Sequence, residues 1–566
     1  MKNRASSHLF ALLLIIGFEI AGYVGVSRAA LLRGYAPSTV GAVRDLLLYV
    51  PIIFLVFWLS RRMKYAGNWT LYTTAILLFS VGLLVQFRLY SDPEYNARNK
   101  AEARAEKTET LRMRFINQYY DANKRQIMGL PSTPTDPNLP PPTARASSYT
   151  VAQALRSGYT WIPIFSFIAF AIAYSLCVRD DFLAWTQRNS FIIVLATLIP
   201  LAAAVTTSRA GHAVGNTTPW EPSKVPFLLG FAGILTAHYR DLARTYWGVP
   251  RARDLVPLVF IALVPFIPFF ALQGFGQMVL FMGVYAALYL VAVHRWPQLL
   301  LFVGTVVLAV SILTVGSLPQ DVQEKVPFLP TIAQPVQAML HPRIRQRFHL
   351  WLDGFDPPSP EVSWWKKDYD AALAKDPKMK ELAEQSPAMQ KTVNVDVWFD
   401  KLAFQPAQAL FGIASGGVTG RGLGLGFSEV IPVADSDYIY AAIGEEMGLV
   451  GGAIVTLALI VFVSAGVRTA IEARDMFSKL CSVGLTVLIG FQALINIGGI
   501  TRVMPMTGIT LPFVSHGGFS LITSFVMLGM LMAFSHRNAR DAQAAGSSGA
   551  SKARATTDVQ LPEAVQ

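Results

Sequence analysis

Read for apolar and polar positions, the chain is a series of long apolar runs joined by short charged loops, broken by two long polar stretches. A helix needs roughly 17 to 25 apolar residues to cross the hydrocarbon. Runs of that kind fall near 8–26, 43–60, 69–88, 159–178, 190–207, 224–240, 255–272, 275–293, 298–316, 438–465, 480–500 and 513–535. The pattern predicts an all-α polytopic membrane protein with about twelve transmembrane helices. No small-residue cleavage site follows the first run and more spans come after it, so it reads as a retained helix rather than a signal peptide. The first polar stretch, 89–157, joins a charged, helix-prone part to Pro131, Pro134, Pro137, Pro140, Pro141 and Pro142, which cannot sustain a helix and read as an extended spacer. The second, 317–437, holds a cluster of acids and an insert at 364–391, where Lys alternates with Asp and Glu at spacings suited to short exposed helices.

These breaks divide the chain into a two-helix amino-terminal part (1–65), a helix with its insertion (66–157), a first block of spans (158–316), the acidic loop (317–437), three last helices (438–537) and a tail (538–566) read as disordered. Composition agrees: 53% of the 566 residues are hydrophobic and 15% charged, which excludes a soluble globular protein. The net charge of +12 falls mostly in alternate short loops, among them Arg61, Arg62 and Lys64, then 179–188, 238–254 and 468–479. Because Lys and Arg favour the cytoplasm, both termini are expected inside and the acidic loop outside, with Arg28, Arg33 and Arg44 pointing the other way. The charge is thus an orientation signal, and a nucleic-acid partner is unnecessary. Cys177 and Cys481 have no spacing that implies a disulfide or a zinc site.

Three constellations carry candidate chemistry. Around Pro505, Gly508, Pro512, Ser515, Gly517 and Gly518 an apolar region is interrupted by prolines and glycines. Such backbone at membrane depth survives only where it lines a cavity or is buried in protein. Ser415, Gly416, Gly417, Gly420, Arg421, Gly422, Gly424 and Gly426 form a glycine-rich run after the acidic loop. No strand precedes it, so it is not a nucleotide loop, although its amides and Arg421 suit an anionic headgroup. Asp435 and Asp437 then stand where a helix begins, placed to cap it, with Glu445 and Glu446 about two turns inside the apolar run. Carboxylates at such depth are costly and face an aqueous or paired interior.

Asp437 to Ala441 with Glu445, Glu446, Gly448 and Gly451, together with the runs at 508–518 and 415–424, resemble the SEDS family of FtsW, RodA and SpoVE type. The resemblance covers roughly residues 150–537, with Trp220, Glu221, Pro222 and Ser223 similar to the family's Gln-Pro-Ser-Glu, and it makes the first two spans an addition to a ten-helix core. It implies a peptidoglycan glycosyltransferase of the bacterial cytoplasmic (inner) membrane, which polymerises lipid II into a β-1,4-linked glycan strand at the outer face. The implied partners are a class B penicillin-binding transpeptidase and other divisome or elongasome membrane proteins. A lipid-linked precursor flippase and a non-catalytic scaffold are the alternatives. The family's essential Asp lies in an Asp-Pro of the external loop, which Trp351 to Pro357 resemble. Asp356 is therefore the expected base, with Asp400 and Asp353 as alternatives. Forming a β bond from an α-linked diphosphate inverts the sugar, so one base suffices, and partial desolvation against Trp351 and Phe355 would suit it. Arg421, Arg502 and Lys224 are expected to meet the leaving diphosphate, helped by Glu445, Ser515, Gly517 and Gly518 around the substrate. Pro222, Ser223, Gly416, Gly417, Asp437, Gly508 and Pro512 are expected to shape the motif. A divalent cation, Mg or Mn, is an option the resemblance leaves open, and no organic cofactor is implied. Lys224 stands where the family has Glu, Phe227 where it has Lys, and His516 and Phe404 where it has Tyr, so the family's charge pair is expected to be lost or rewired.

Overall fold

The computed structural model describes residues 2–32, 39–91, 157–207, 220–242, 245–246, 249–250, 274–293, 342–352 and 354–557. The protein is an all-α polytopic membrane protein, apart from a two-residue ribbon of β1 (Thr245–Tyr246) against β2 (Val249–Pro250). Among the described residues eight helices are long and apolar enough to cross a membrane, or nine with a pair bent by 73°. The expected spans at 255–272 and 298–316, Asp353 and most of the 89–157 insertion lie outside the described residues.

The amino-terminal half opens with α1 (Lys2–Leu32). A second span follows, built from α2 (Val40–Arg44), a π-helical turn (Asp45–Tyr49) and α3 (Val50–Arg62). Then come α4 (Thr70–Ser91), α5 (Gly158–Cys177), α6 (Asp180–Arg188) and α7 (Ser190–Thr207), where α6 and the start of α7 are the bent pair. α8 (Trp220–Leu242) is long enough to span, yet it carries Glu221, Lys224 and Arg240 and is not among the eight apolar helices. Its amino-terminal turn instead buries its charges inside protein. α9 (Phe275–Val293) closes this half.

The polar loop contains α10 (Pro342–Leu352) and then the insert, α11 (Ser363–Lys375), α12 (Pro377–Gln385) and α13 (Pro387–Trp398). Asp376 and Ser386 cap α12 and α13 through side-chain oxygens, and proline follows each, which is why the insert breaks into three short pieces. A π turn (Phe399–Ala403) leads to α14 (Phe404–Gly416), and α15 (Ile439–Glu472), α16 (Met476–Ile500) and α17 (Phe519–Thr557) complete the chain. α17 runs through residues expected to be disordered, because Ala539, Ala542, Ala544 and Ala545 favour helix once a long helix is already nucleated.

α4 sits inside the bundle, between α1, α15 and α17, while α17 lies along α5 and α16 along α15 and α9. The α5–α17 contact is close because Gly529 leaves its backbone against the carbonyl of Phe170, with room for nothing larger. The amino-terminal span is fastened to the rest by Tyr49, whose hydroxyl lies 3.0 Å from the carbonyl of Tyr159 and 3.1 Å from that of Thr160.

Candidate functional site

Three segments meet at one end of the bundle: the glycine-rich loop after α14, the turn before α15 and the irregular stretch 501–518. The α15 helix is broken inside its first turns by Gly448, whose φ of 66° and ψ of −164° suit glycine alone. The break frees carbonyls and amides that need partners at membrane depth. The loop supplies them. Arg421 and Gly422 donate their backbone N–H to the carbonyls of Glu445 and Glu446, each at 3.0 Å, and Leu449 and Val450 donate to the carbonyls of Gly417 and Val418 at 2.9 and 3.1 Å. Gly416 and Gly420 press their backbone against that of α15, so the glycine-rich run is a seat for a broken helix.

The two glutamates complete the seat. Glu446 accepts from Gly424 N at 2.9 Å, Ser428 Oγ at 3.0 Å and Arg88 Nε at 2.7 Å. Arg88 also reaches Glu429 at 2.6 Å and the carbonyl of Gly426 at 3.1 Å. Glu445, expected at the substrate, is 1% exposed and accepts from Phe427 N at 2.8 Å, so it holds the loop instead. Arg88 was not foreseen. Its signal was present as a cation at the end of the apolar run 69–88, where a charge requires a partner. The loop also rests on α1, with Gly424 against Val26 and Ala29.

The charge pair expected at the start of α8 is rewired. Lys224 Nζ binds both carboxylate oxygens of Glu221, at 2.8 and 2.9 Å, and Gln492 Oε1 at 3.0 Å. An i, i+3 pair thus survives, moved one helical turn towards the amino terminus, with Pro222 and Ser223 between its members. Gln492 passes the network on to the carbonyl of Thr510 at 3.0 Å. Lys224 is fully buried in this pairing, so the expected contact with a leaving diphosphate is not what holds it here.

Neither Asp435 nor Asp437 caps α15, whose N-cap is Tyr438 without a side-chain bond. Asp435 accepts from the hydroxyls of Tyr90 at 2.6 Å and Tyr159 at 3.0 Å, drawing α4 and α5 to the turn. Ser515, with Pro512 buried beside it, accepts from Leu511 N at 2.8 Å and donates to the carbonyl of Ser436 at 2.7 Å. It therefore ties two loops together. His516 stacks on Tyr159 with ring centroids 4.4 Å apart, while Gly517 abuts Thr510 and Gly518 takes a left-handed φ of 48° just before α17.

Asp437 lies beside Gly508 and Arg347, and Arg347 donates to the carbonyl of Thr507 at 3.1 Å. Burial pushes the Asp437 carboxyl up from the ordinary 3.8 to about 6, opposed by Ser436 and Arg347 and reinforced by Asp435 and Glu221. The folded protein therefore binds the proton more tightly than the unfolded chain. The contribution to stability is fully present below about 4 and is lost as pH rises through about 6. Melting curves of the purified protein between pH 4 and 7 should show this loss, and Asp437→Asn should flatten it; an unchanged slope would overturn the assignment.

α10 brings the expected base to the same end. Trp351 Nε1 donates to the carbonyl of Arg502 at 3.1 Å, and Arg502 returns bonds to the carbonyls of Leu350 and Trp351 at 3.3 and 3.0 Å. Arg502, with a left-handed φ of 60°, closes the carboxy-terminal end of α10 and covers the Phe355 ring at 5.4 Å. In the structure the Arg502 guanidinium is thus engaged at the end of α10. Asp356 follows in the next turn and is exposed, where partial burial against Trp351 and Phe355 was expected. Asp400 is also exposed but lies on the π turn after α13. Of the three expected cations, Arg421 alone is exposed, on the glycine-rich loop. Among the described residues no three His, Cys, Asp or Glu side chains converge.

Residues 392–540 match the cell cycle protein family of FtsW, RodA and SpoVE. Over 150 residues the chain is 41% identical to the peptidoglycan glycosyltransferase RodA of Mycobacterium tuberculosis, covering 25% of this chain and 32% of that one. It is 37% identical to the stage V sporulation protein E of Bacillus subtilis over 145 residues, 25% of this chain and 40% of that one. The chain thus spans only about a third of the length of the first of these relatives. A solved chain of a peptidoglycan synthase complex that coordinates polymerisation and crosslinking is 20% identical, with a TM-score of 0.46 over 68% of this chain and 91% of that one. The family match begins after Asp356, which rests on its own motif from Trp351 to Pro357.

Proposed function

We propose, from the premise that residues 392–540 belong to the cell cycle protein family of FtsW, RodA and SpoVE, that this protein is a peptidoglycan glycosyltransferase polymerising lipid II at the outer face of the cytoplasmic membrane. One observation carries the reading. The matched segment builds the seat of glycine-rich loop, broken helix and stretch 501–518, and Arg502 of that stretch fastens the end of α10, just before Asp356.

In this reading Asp356, exposed on its turn, accepts the proton of the acceptor GlcNAc 4-hydroxyl. The freed oxygen attacks the anomeric carbon of the donor MurNAc from the face opposite the diphosphate. The C–O bond to the diphosphate breaks, and its electron pair leaves with undecaprenyl diphosphate. A single displacement inverts the centre, which turns an α-linked donor into a β-linked product without a second carboxylate. Arg421 is the exposed cation for the leaving group. Lys224 and Arg502 support the site from within, one through the Glu221–Gln492 network and the other by closing α10. A class B penicillin-binding transpeptidase would crosslink the product.

The test uses purified full-length protein in liposomes with lipid II. Muramidase-sensitive glycan strands are expected. Lipid II crossing the bilayer without polymer would overturn the reading in favour of a flippase, and neither activity would leave a scaffold.

A further inference from the structure

Asp356 is followed by Pro357 and Pro358, two residues without a backbone N–H, in a turn that belongs to no helix. The carbonyls of such a turn find no partner within it and must be satisfied from elsewhere. Two buried side chains do so. His349 of α10 is 4% exposed and its Nε2 lies 3.1 Å from the carbonyl of Asp356 itself. A carbonyl only accepts, so that nitrogen carries the proton. Asn394 of α13 is 3% exposed, and its Nδ2 donates to the carbonyl of Pro358 at 2.8 Å.

Both donors are themselves locked by the helical insert. Asn394 Oδ1 accepts from Trp365 Nε1 of α11 at 2.7 Å, which fixes which end of the amide faces the turn. The indole of Trp365 is fully buried. The His349 ring stands edge-on to Trp398 at 5.2 Å and Trp364 at 5.8 Å. Leu350, Trp365, Val393, Val397, Trp398 and Ala403 form one apolar cluster, so α11 and α13 share a core with α10 and do not dangle from it. Arg502 closes the end of α10 just before the turn, and Asn394 of the insert bonds the turn itself.

We propose that the insert α11–α13 is a positioning element for the acceptor-activating carboxylate, acting through the Asn394 amide and the His349 imidazole on the backbone either side of Pro357. Asn394 and His349 are positioning residues, since both are buried and act on backbone carbonyls of the turn. Prolines limit φ in the turn, and the two side-chain bonds remove most of the freedom that remains. An exposed carboxylate is thereby kept where a sugar hydroxyl must meet it, and loss of such placement by about 1 Å costs on the order of 10²-fold in rate. The inference rests on Asp356 being the base.

The test compares steady-state polymerisation of lipid II by the full-length protein, its Asn394→Asp and Trp365→Phe variants, and each combined with Asp356→Asn. Asn394→Asp keeps the acceptor for Trp365 and loses the donor to Pro358; Trp365→Phe loses the indole N–H together with the five-membered ring, so its kcat is read per folded molecule. Expected is a fall in kcat per folded molecule of roughly 10- to 100-fold for Asn394→Asp, a smaller fall for Trp365→Phe, and KM within about two-fold. In the Asp356→Asn background neither change should lower the residual rate further, because the group they position is gone. A wild-type kcat in both single variants, with Asp356→Asn inactive, would overturn the role of the insert alone. Full activity of Asp356→Asn would instead overturn the assignment of the base beneath it. If Asn394→Asp fails to fold, Trp365→Phe decides by the same kcat comparison.

Discussion

Asp356→Asn is expected to lower the rate of glycan polymerisation by about 10² to 10⁴-fold, the range general-base catalysis supplies. The amide keeps the shape of the carboxylate and cannot accept the proton. Because the side chain is exposed, its loss should change stability by no more than about 0.5 kcal/mol. Rate and melting temperature therefore separate the chemical role from a folding defect. The control is Asp400→Asn, also at an exposed acid but on the turn that ends the insert, which should keep a rate near that of the wild type. A loss confined to Asp400→Asn would transfer the base to that residue. The Asp-Pro motif favours Asp356 in the sequence, and the tertiary structure adds a second difference: α10 and Arg502 fasten the Asp356 turn to the stretch 501–518.

Arg88→Met should destabilise the protein by about 3 to 5 kcal/mol, the usual cost of leaving a buried ion pair half-made. Arg88 is 1% exposed and lies between Glu429 and Glu446, at 2.6 and 2.7 Å. Removing it leaves two carboxylates facing each other, with the glycine-rich loop suspended from one of them through Gly424 and Ser428. Thermal unfolding in detergent should show a clear drop in melting temperature, and polymerisation should fall with it. The triple change Arg88→Met with Glu429→Gln and Glu446→Gln removes the stranded charges and should recover part of the stability. If Arg88→Met melts like the wild type, the cluster is not what seats the loop.

The partners of these charges were only half legible in the sequence. That Glu445 and Glu446 need partners could be read from their position in an apolar run, and so could the need of Arg88. Which needs which could not, because Arg88 and Glu446 are 358 residues apart and the pairing depends on α4 lying against α15. The same holds for Lys224. Its departure from the family's residue was visible, but that Glu221 restores the pair one turn earlier depends on both side chains turning inward towards Gln492. The expected diphosphate role of Arg502 had no sequence signal against it. That the same guanidinium also closes the end of α10, 151 residues earlier at Trp351, could be seen only in the tertiary structure.

Local composition was enough to specify the membrane class, the helices of the described spans and the three motifs, because spanning lipid demands helices of a set length whatever their neighbours are. It also located the insert and its short helices through the alternation of Lys with Asp and Glu, while the caps at Asp376 and Ser386 came from the structure. Which charges are committed and which stay exposed was settled by packing alone. Packing buried Lys224 and Glu446 in internal pairs, set Glu445 against the Phe427 amide, placed Arg502 at a helix end, and left Asp356 and Arg421 at the surface. An apolar run is positioned by the residues within it, whereas the partner of a buried charge is set by whichever distant helix packs against it.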